Sequence, residues 1–317
     1  MQFSAGIGGG EAFAGGTVAK KKGRLSEVVQ QEGAGAGKIM QIDLEGVISS
    51  VSAQGLLGVG QSSVESLKEQ LEQAAKDTQV KAVVLRVNSP GGEVTASDTI
   101  YAAVKQVSAV KPVVVFMDSM AASGGYYVAC GATKVVASET TLTGSIGVII
   151  DMLNYSALFD KVGLKSNTFV SGAFKDSLSG SRPMRTEEEA YVQNLVMQMY
   201  ERFLGVVSEA RKLPKDVLRN GVADGRVVTG REALEAGLVD QIGYVEDAYR
   251  LAQELGEAAE APVLKYRQSV GFMDLFGAAA SKAGAEPVKV EWLPTGLAPM
   301  MQPGLPYYLA PMSVPTR

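Results

Sequence analysis

The chain has 317 residues, 46% of them hydrophobic and 20% charged, with a net charge of −4 and a pI near 5.2. That is enough chain to bury one or two sizeable cores, and the absence of a basic excess argues against a nucleic-acid partner. It has no histidine and one cysteine, Cys130, which excludes Ser-His-Asp and Cys-His triads, the usual His-based zinc sites and an internal disulfide. A nucleophilic enzyme built from these residues must take its base from Lys, Asp, Glu, Tyr or an N-terminal amine.

Residues 1–37 are rich in Gly and Ala, carry a cluster at Lys20, Lys21 and Lys22, and lack the apolar centre of a signal peptide. They read as a flexible leader. No run of about 20 apolar residues is present, so the sequence holds no transmembrane helix. A strand is predicted over residues 38–44, then a Gly-rich loop over 45–60. Ser62 and Glu65 form a capping box ahead of a helix whose Val64, Leu67, Leu71 and Ala74 share one face. Residues 80–87 are an unbroken apolar strand, the pattern of a parallel sheet buried on both faces.

The motif Asn88-Ser-Pro-Gly-Gly92 follows, then a helix over 94–107 and a strand over 112–117. Ser123 stands in Met120-Ala-Ala-Ser-Gly-Gly125, at the head of an apolar helical run, 126–130, that contains Cys130 as a small buried hydrophobe. A strand at 133–137 leads to Thr143-Gly-Ser-Ile-Gly147, which opens another strand running to about 151. A helix is expected at 155–162, a strand at 165–170, and a Gly/Ser-rich loop at 171–180 that carries Lys175. A long helix spans 186–212, with Thr186 as its cap and acids in its first turn. Short elements fill 216–220, 230–236 and 245–255. The alternation of strand and helix indicates α/β layering around a largely parallel sheet. Beyond 261 the character changes, and 292–317 carries six prolines, the mark of a disordered tail. Within it Leu305-Pro-Tyr-Tyr-Leu309 is apolar enough to dock on a groove or a neighbouring subunit.

In an open parallel sheet, the loops at the carboxyl ends of the strands share one face, where ligands bind. The loops 88–92, 120–125 and 143–147 are placed to meet there. Gly92 and Gly124 can each present a backbone N–H to a carbonyl oxygen that becomes negative, donors worth ~3–4 kcal/mol each. Ser123 reads either as a helix N-cap or as a nucleophile. Its base, without histidine, is lysine, which has a reference pKa of ~10.4 and needs desolvation or neighbouring positive charge to act at neutral pH. Lys175 lies beside Ala173, Phe174 and Leu178, which permits burial; solvated surface is the ordinary fate of a loop lysine. Ser145 is a third member able to hold the lysine by a hydrogen bond.

Five motifs occur together in order: Asn88-Ser-Pro-Gly-Gly92, Ala122-Ser-Gly-Gly-Tyr-Tyr127, Thr143-Gly-Ser-Ile-Gly-Val148, Lys175 with Ser181-Arg182, and Asp224-Gly-Arg-Val-Val-Thr-Gly-Arg231 running on to Gly243. Over roughly residues 38–255 the chain closely resembles the short form of bacterial signal peptide peptidase A, a Ser/Lys-dyad serine protease family. The resemblance implies a Clp-protease/crotonase-like fold of repeated ββα units with helical extensions. It implies Ser123 as nucleophile, Lys175 as general base, Ser145 as its positioner, and Gly92 and Gly124 as the oxyanion hole. It implies a serine endopeptidase acting on cleaved signal peptides and other extended apolar peptides. It further implies homo-oligomers, tetramers or octamers, some of which complete the dyad from a neighbour, and a membrane-associated location with the active site outside the cytoplasm. No cofactor or metal is implied. Short-form members carry an N-terminal anchor that this sequence does not show. The expected division is a leader at 1–37, a peptidase domain at 38–260 and a C-terminal extension at 261–317.

Two other readings share the fold. A crotonase-like acyl-CoA enzyme would use the same oxyanion geometry without a serine nucleophile, but the oxyanion loops lack its glutamate and no basic site for the CoA phosphates is evident. A non-catalytic ring-forming scaffold would leave Ser123, Ser145 and Lys175 without a role.

Overall fold

The computed structural model describes residues 25–51, 54–55, 58–59, 63–268 and 306–309. In chain order the elements are β1 (Leu25–Gln31), β2 (Lys38–Glu45), β3 (Gln54–Gly55), β4 (Gly58–Val59), α1 (Ser63–Lys76), β5 (Val80–Ser89), β6 (Gly91–Glu93) and α2 (Val94–Ser108). Then come β7 (Val113–Ala122), α3 (Gly124–Ala129), β8 (Lys134–Ala137), β9 (Leu142–Gly144), α4 (Ser156–Lys161) and α5 (Thr186–Arg211). The chain continues with α6 (Lys215–Arg219), β10 (Val227–Thr229), α7 (Gly230–Glu235), β11 (Gln241–Ile242), α8 (Val245–Leu255), β12 (Val263–Gln268) and β13 (Tyr307–Leu309).

The main sheet runs β1-β12-β2-β5-β7-β8-β11, with β9 joined to β7 and β10 to β9. Its centre, β2-β5-β7-β8, is parallel throughout. The apolar run of β5 alternates between two cores. Val83, Leu85 and Val87 face one packed by α1, α2, α3 and α5, while Ala82 and Val84 face one packed by Ala248, Tyr249 and Ala252 of α8. Burial on both faces explains why β5 shows no apolar-polar alternation.

Several boundaries differ from the sequence expectation, each for a local reason. Strand β7 runs on to Ala122 because β9 takes over as its partner, through Met120 to Ala122, where β8 ends. The strand expected from 143 onward stops at Gly144. Residues 165–170 form no strand; all are exposed and none of the described strands pairs with them, so their β-branched and aromatic residues have no described pleated surface to fit. The cap of α5 is Arg185 rather than Thr186, because the Glu188 carboxylate accepts a hydrogen bond from Arg185 N at 2.9 Å. The Ser62 capping box lies outside the described residues, although α1 buries Val64, Leu67, Leu71 and Ala74 as expected. Strands β1 and β12 extend the sheet edge from stretches whose composition suggested leader and extension.

Helix α5 is tied to the centre through aromatic contacts. Phe203, fully buried, lies edge-on 5.0 Å from Tyr127, which lies 5.3 Å from Tyr101 of α2. Replacing Phe203 with Ala removes a buried ring at this junction and is expected to destabilise the protein by about 3–5 kcal/mol. Urea unfolding of the variant, with an unchanged m-value and a lower midpoint, is the check.

Candidate active site

Ser123 stands between β7 and α3, where the chain turns from strand into helix. A bulge in β7, between the pairs Val87↔Met117 and Ser89↔Ala121, re-aims the end of that strand. Thr141 braces the bulge by donating from Oγ1 to the carbonyls of Met117 (3.0 Å) and Asp118 (2.6 Å). At the turn Ser123 adopts φ 53° and ψ −114°, a sparsely populated conformation for a side-chain-bearing residue that costs of order 1–3 kcal/mol. The N-cap alternative does not hold: Ser123 precedes α3, but its side chain makes no capping bond. Its Oγ is fully buried and has no hydrogen-bond partner among the described residues. An unpaired buried hydroxyl costs about 1–3 kcal/mol, so strain and desolvation fall on the same residue.

Ser145 is brought beside it by the sheet. Ala122 pairs with Gly144 in parallel register, and Ser123 N donates to Gly144 O at 2.8 Å, so the two serines follow as neighbours. Ser145 also has positive φ, 50°, and is buried; its N–H donates to Arg226 O at 2.7 Å. Strand β10, in the fifth sequence motif, thereby holds the third loop against the first two.

The Gly-Gly segment closes the site on its other side. A Cβ on Gly124 would come within 2.5 Å of Ser97 Oγ and 3.1 Å of Gly92 N, so α3 and β6 meet only because residue 124 is glycine. A Cβ on Gly92 would lie 2.0 Å from Ile48 O. Ile48 clamps one edge of β6, donating to Gly91 O at 2.8 Å and accepting from Glu93 N at 2.9 Å. A buried carboxylate secures the clamp: Glu93 accepts from Ser49 Oγ (2.7 Å), Ser50 N (3.1 Å) and Ser50 Oγ (2.5 Å). Sequence reasoning missed this clamp; its visible signal was an acid directly after the glycine pair. Because residues alternate along a strand, Gly92 N–H and Val94 N–H point to the opposite edge. Beside that edge, Val94, Thr95, Asp98, Tyr127, Leu195 and Met199 contribute to a mostly apolar cavity of about 260 Å³ between α2 and α5.

The structure brings Ser123, Ser145, Gly92 and Gly124 together; Lys175 stands apart. Its side chain is exposed and makes no hydrogen bond or ion pair among the described residues. The loop around it is nevertheless anchored. Asp176 turns away from the lysine to Arg182, with Nε and Nη2 contacts of 2.8 Å each. Arg182 also binds Glu188 (2.6 Å), and Phe174 packs on Tyr191 of α5 at 5.3 Å.

The sequence pattern described as Peptidase family S49 matches residues 105–259, and that of Clp protease matches 57–142. A protein of Enterococcus faecium provisionally named signal peptide peptidase SppA is 38% identical over 253 residues, 78% of this chain and 72% of that one. The chloroplastic serine protease SPPA of Arabidopsis thaliana is 34% identical over 69% of this chain and 32% of its own length. Protease 4 of Salmonella typhi is 34% identical over 74% of this chain and 38% of its own. The chain belongs to peptidase family S49.

As an S49 member it is a serine-type peptidase, which sets aside the acyl-CoA and scaffold readings. Its one thiol is not a competing nucleophile, since burial pushes the Cys130 pKa up to about 12. Two tests bear on the site's geometry. Gly92→Ala forces β6 off Ile48 and is expected to lower kcat at least about a hundredfold with little change in global fold; peptide hydrolysis alongside near-UV circular dichroism reads both. Hydrogen bonding to Arg182 lowers the Glu188 carboxyl from the ordinary 4.5 to about 2. A depressed carboxylate pKa stabilises above its unfolded value, and that contribution is lost as pH falls from 4.5 toward 2. Amide exchange in residues 171–185, corrected for intrinsic rates, is therefore expected to accelerate across that window. In Glu188→Gln it is expected to be fast already at neutral pH.

Proposed function

We propose that the protein is a serine endopeptidase in which Ser123 attacks the scissile carbonyl and the N–H groups of Gly92 and Gly124 hold the resulting oxyanion. The observation that carries this reading is the strained, fully buried and unpartnered Ser123 hydroxyl beside the Gly91–Gly92 edge. An extended substrate pairs with that edge as an added strand, in the place β13 holds in the free chain. The apolar cavity beside Val94 takes a substrate side chain, which suits extended apolar peptides such as the remnants of cleaved signal peptides. That substrate class derives from membranes, so we place the enzyme at a membrane with its active site outside the cytoplasm.

Lys175 is the general base and Ser145 its positioner, with the lysine supplied by a neighbouring copy. The support is the exposed segment that carries it. Leu153, Leu158, Val162, Leu164 and Phe169 are 55–97% exposed, an apolar surface of the kind a partner covers. A lysine passed from each copy to the next makes a head-to-tail contact, and such contacts close into rings. A ring of four or eight copies, with its sites facing an inner cavity, satisfies that geometry. Lys175 Nζ takes the Ser123 proton as the acyl-enzyme forms and gives it to the leaving amine; it then takes a proton from the water that attacks the acyl-enzyme and returns it to Ser123 Oγ as the acid leaves.

Separate Ser123→Ala and Lys175→Ala chains are each expected to be inactive while folded. After subunit exchange between them, hybrid sites with both groups intact form at about a quarter of the interfaces if the dyad spans two copies and mixing is random. Recovery to about that level in a peptide-hydrolysis assay supports the shared dyad, and no recovery places Lys175 with the Ser123 of its own chain. Covalent labelling by a fluorophosphonate, lost in Ser123→Ala, tests the nucleophile independently.

A further inference from the structure

Neighbouring parallel strands lead to the parts of the site. Strand β2 leads to the Ile48 clamp, β5 to the Gly91–Gly92 edge and β7 to Ser123. Arg86 of β5 joins all three strands, on the sheet face that α8 packs. Its Nε donates to Asp118 Oδ2 of β7 at 2.9 Å, and its Nη2 donates to the same oxygen. Its Nη1 lies 3.9 Å from Asp43 Oδ2 and 3.8 Å from Glu45 Oε1, both on β2. Asp43 is the cross-strand neighbour of Arg86 and is itself fixed by Gln41 Nε2 (2.7 Å) and by Lys265 of β12.

Asp118 is the first residue of the β7 bulge. Between the pairs Val87↔Met117 and Ser89↔Ala121, residues 118–120 of β7 stand opposite Asn88 alone. A ladder does not by itself decide where such an excess lies, and a slip of one residue turns every following side chain to the other face. Asp118 is held against that slip from both sides: Thr141 binds its carbonyl and Arg86 its carboxylate. Ser123 lies at the end of the stretch so fixed.

We propose that Arg86 and Asp118 are positioning residues for the reaction, their contact fixing the β7 bulge so that Ser123 Oγ reaches a carbonyl held at Gly92. The inference rests on the reading of Ser123 and Gly92 given above. Stability alone gives the pair little purpose. Its side chains are 34% and 26% exposed, and ion pairs screened by water contribute little. Charge alone does not account for it either. Two donors of one planar guanidinium converge on one oxygen, which sets direction as well as distance; an ammonium in that place supplies charge without direction. Misplacing a reacting group by about 1 Å costs on the order of a hundredfold in rate.

Arg86→Lys, made in the full chain, keeps the charge and loses the planar fork. It is expected to lower kcat for an apolar peptide by about ten- to a hundredfold with KM nearly unchanged, the mark of an interaction felt in the transition state. The urea midpoint is expected to stay close to that of the parent. Asp118→Ala breaks the same contact from the other strand and is expected to cost as much, which keeps the test open if Arg86→Lys folds poorly. The double variant is expected to be no slower than the slower single one, since the two side chains act as a unit. Fluorophosphonate labelling of Ser123 is expected to slow by the same factor as kcat. Parental kcat in either single variant overturns the proposal. So does a loss that only tracks the urea midpoint, and so do single losses that multiply in the double variant. A failure of the underlying reading looks different: Ser123→Ala then keeps its activity, whereas failure of this proposal alone leaves Ser123→Ala inactive and Arg86→Lys at the parental rate.

Discussion

The site depends on one close approach of backbone to backbone. Gly92 lies so near Ile48 that a methyl group at 92 would overlap the Ile48 carbonyl, and the hydrogen bonds of Gly91 and Glu93 to Ile48 use up one edge of β6. The consequence is directional. With one edge spent, the N–H groups of Gly92 and Val94 face the opposite side, where β13 pairs and where, on the proposed reading, a peptide binds. The Glu93 carboxylate, gathered by Ser49 and Ser50, fixes the loop that makes the clamp. Donors held this way need no reorganisation when charge develops, which is the condition for strong electrostatic stabilisation of a transition state.

Ser123 is held with equal rigidity but by other means. Ser123 takes its position from the parallel pairing of β7 with β9 and from the bulge at the end of β7, so its strained turn is enforced by a sheet buried on both faces. Ser145 is placed by the same register. The two serines are among the few described non-glycine residues with positive φ, and their strain is sustained by the core beneath rather than by contacts of their own. Lys175 has none of this support. Its loop is secured by an ion-pair cluster on Asp176, Arg182 and Glu188 and by a ring contact to α5, which orient the loop but leave the lysine side chain in solvent. On the proposed reading, nucleophile and base thus belong to two structural units, a core and an arm.

That division explains how much could be read from the chain. The core was legible because its signals are local and repeated: unbroken apolar strands, a helical face at Val64, Leu67, Leu71 and Ala74, and glycines at each strand end. The motif loops were legible because each contains residues that no ordinary turn needs together. Boundaries failed where a partner strand decided them, as in β7, which lengthens only because β9 is there to meet it, and in residues 165–170, which have strand composition and no partner. Strands β1 and β12 were hidden for the converse reason. Their sequences are too polar or too short to announce a strand, yet the edge of a parallel sheet supplies the hydrogen bonds that order them. Position within the chain decides nothing about such long-range pairings.

The tail segment shows how the two kinds of signal combine. Its apolar Leu305-Pro-Tyr-Tyr-Leu309 stood out from its surroundings by composition alone, without naming a place to dock. The partner is a glycine pair with no side chains to repel it and an edge with unspent donors. On the proposed reading the isolated chain is idle because its base lies in solvent. On that reading a neighbouring copy supplies the base, and neither copy alone completes the site.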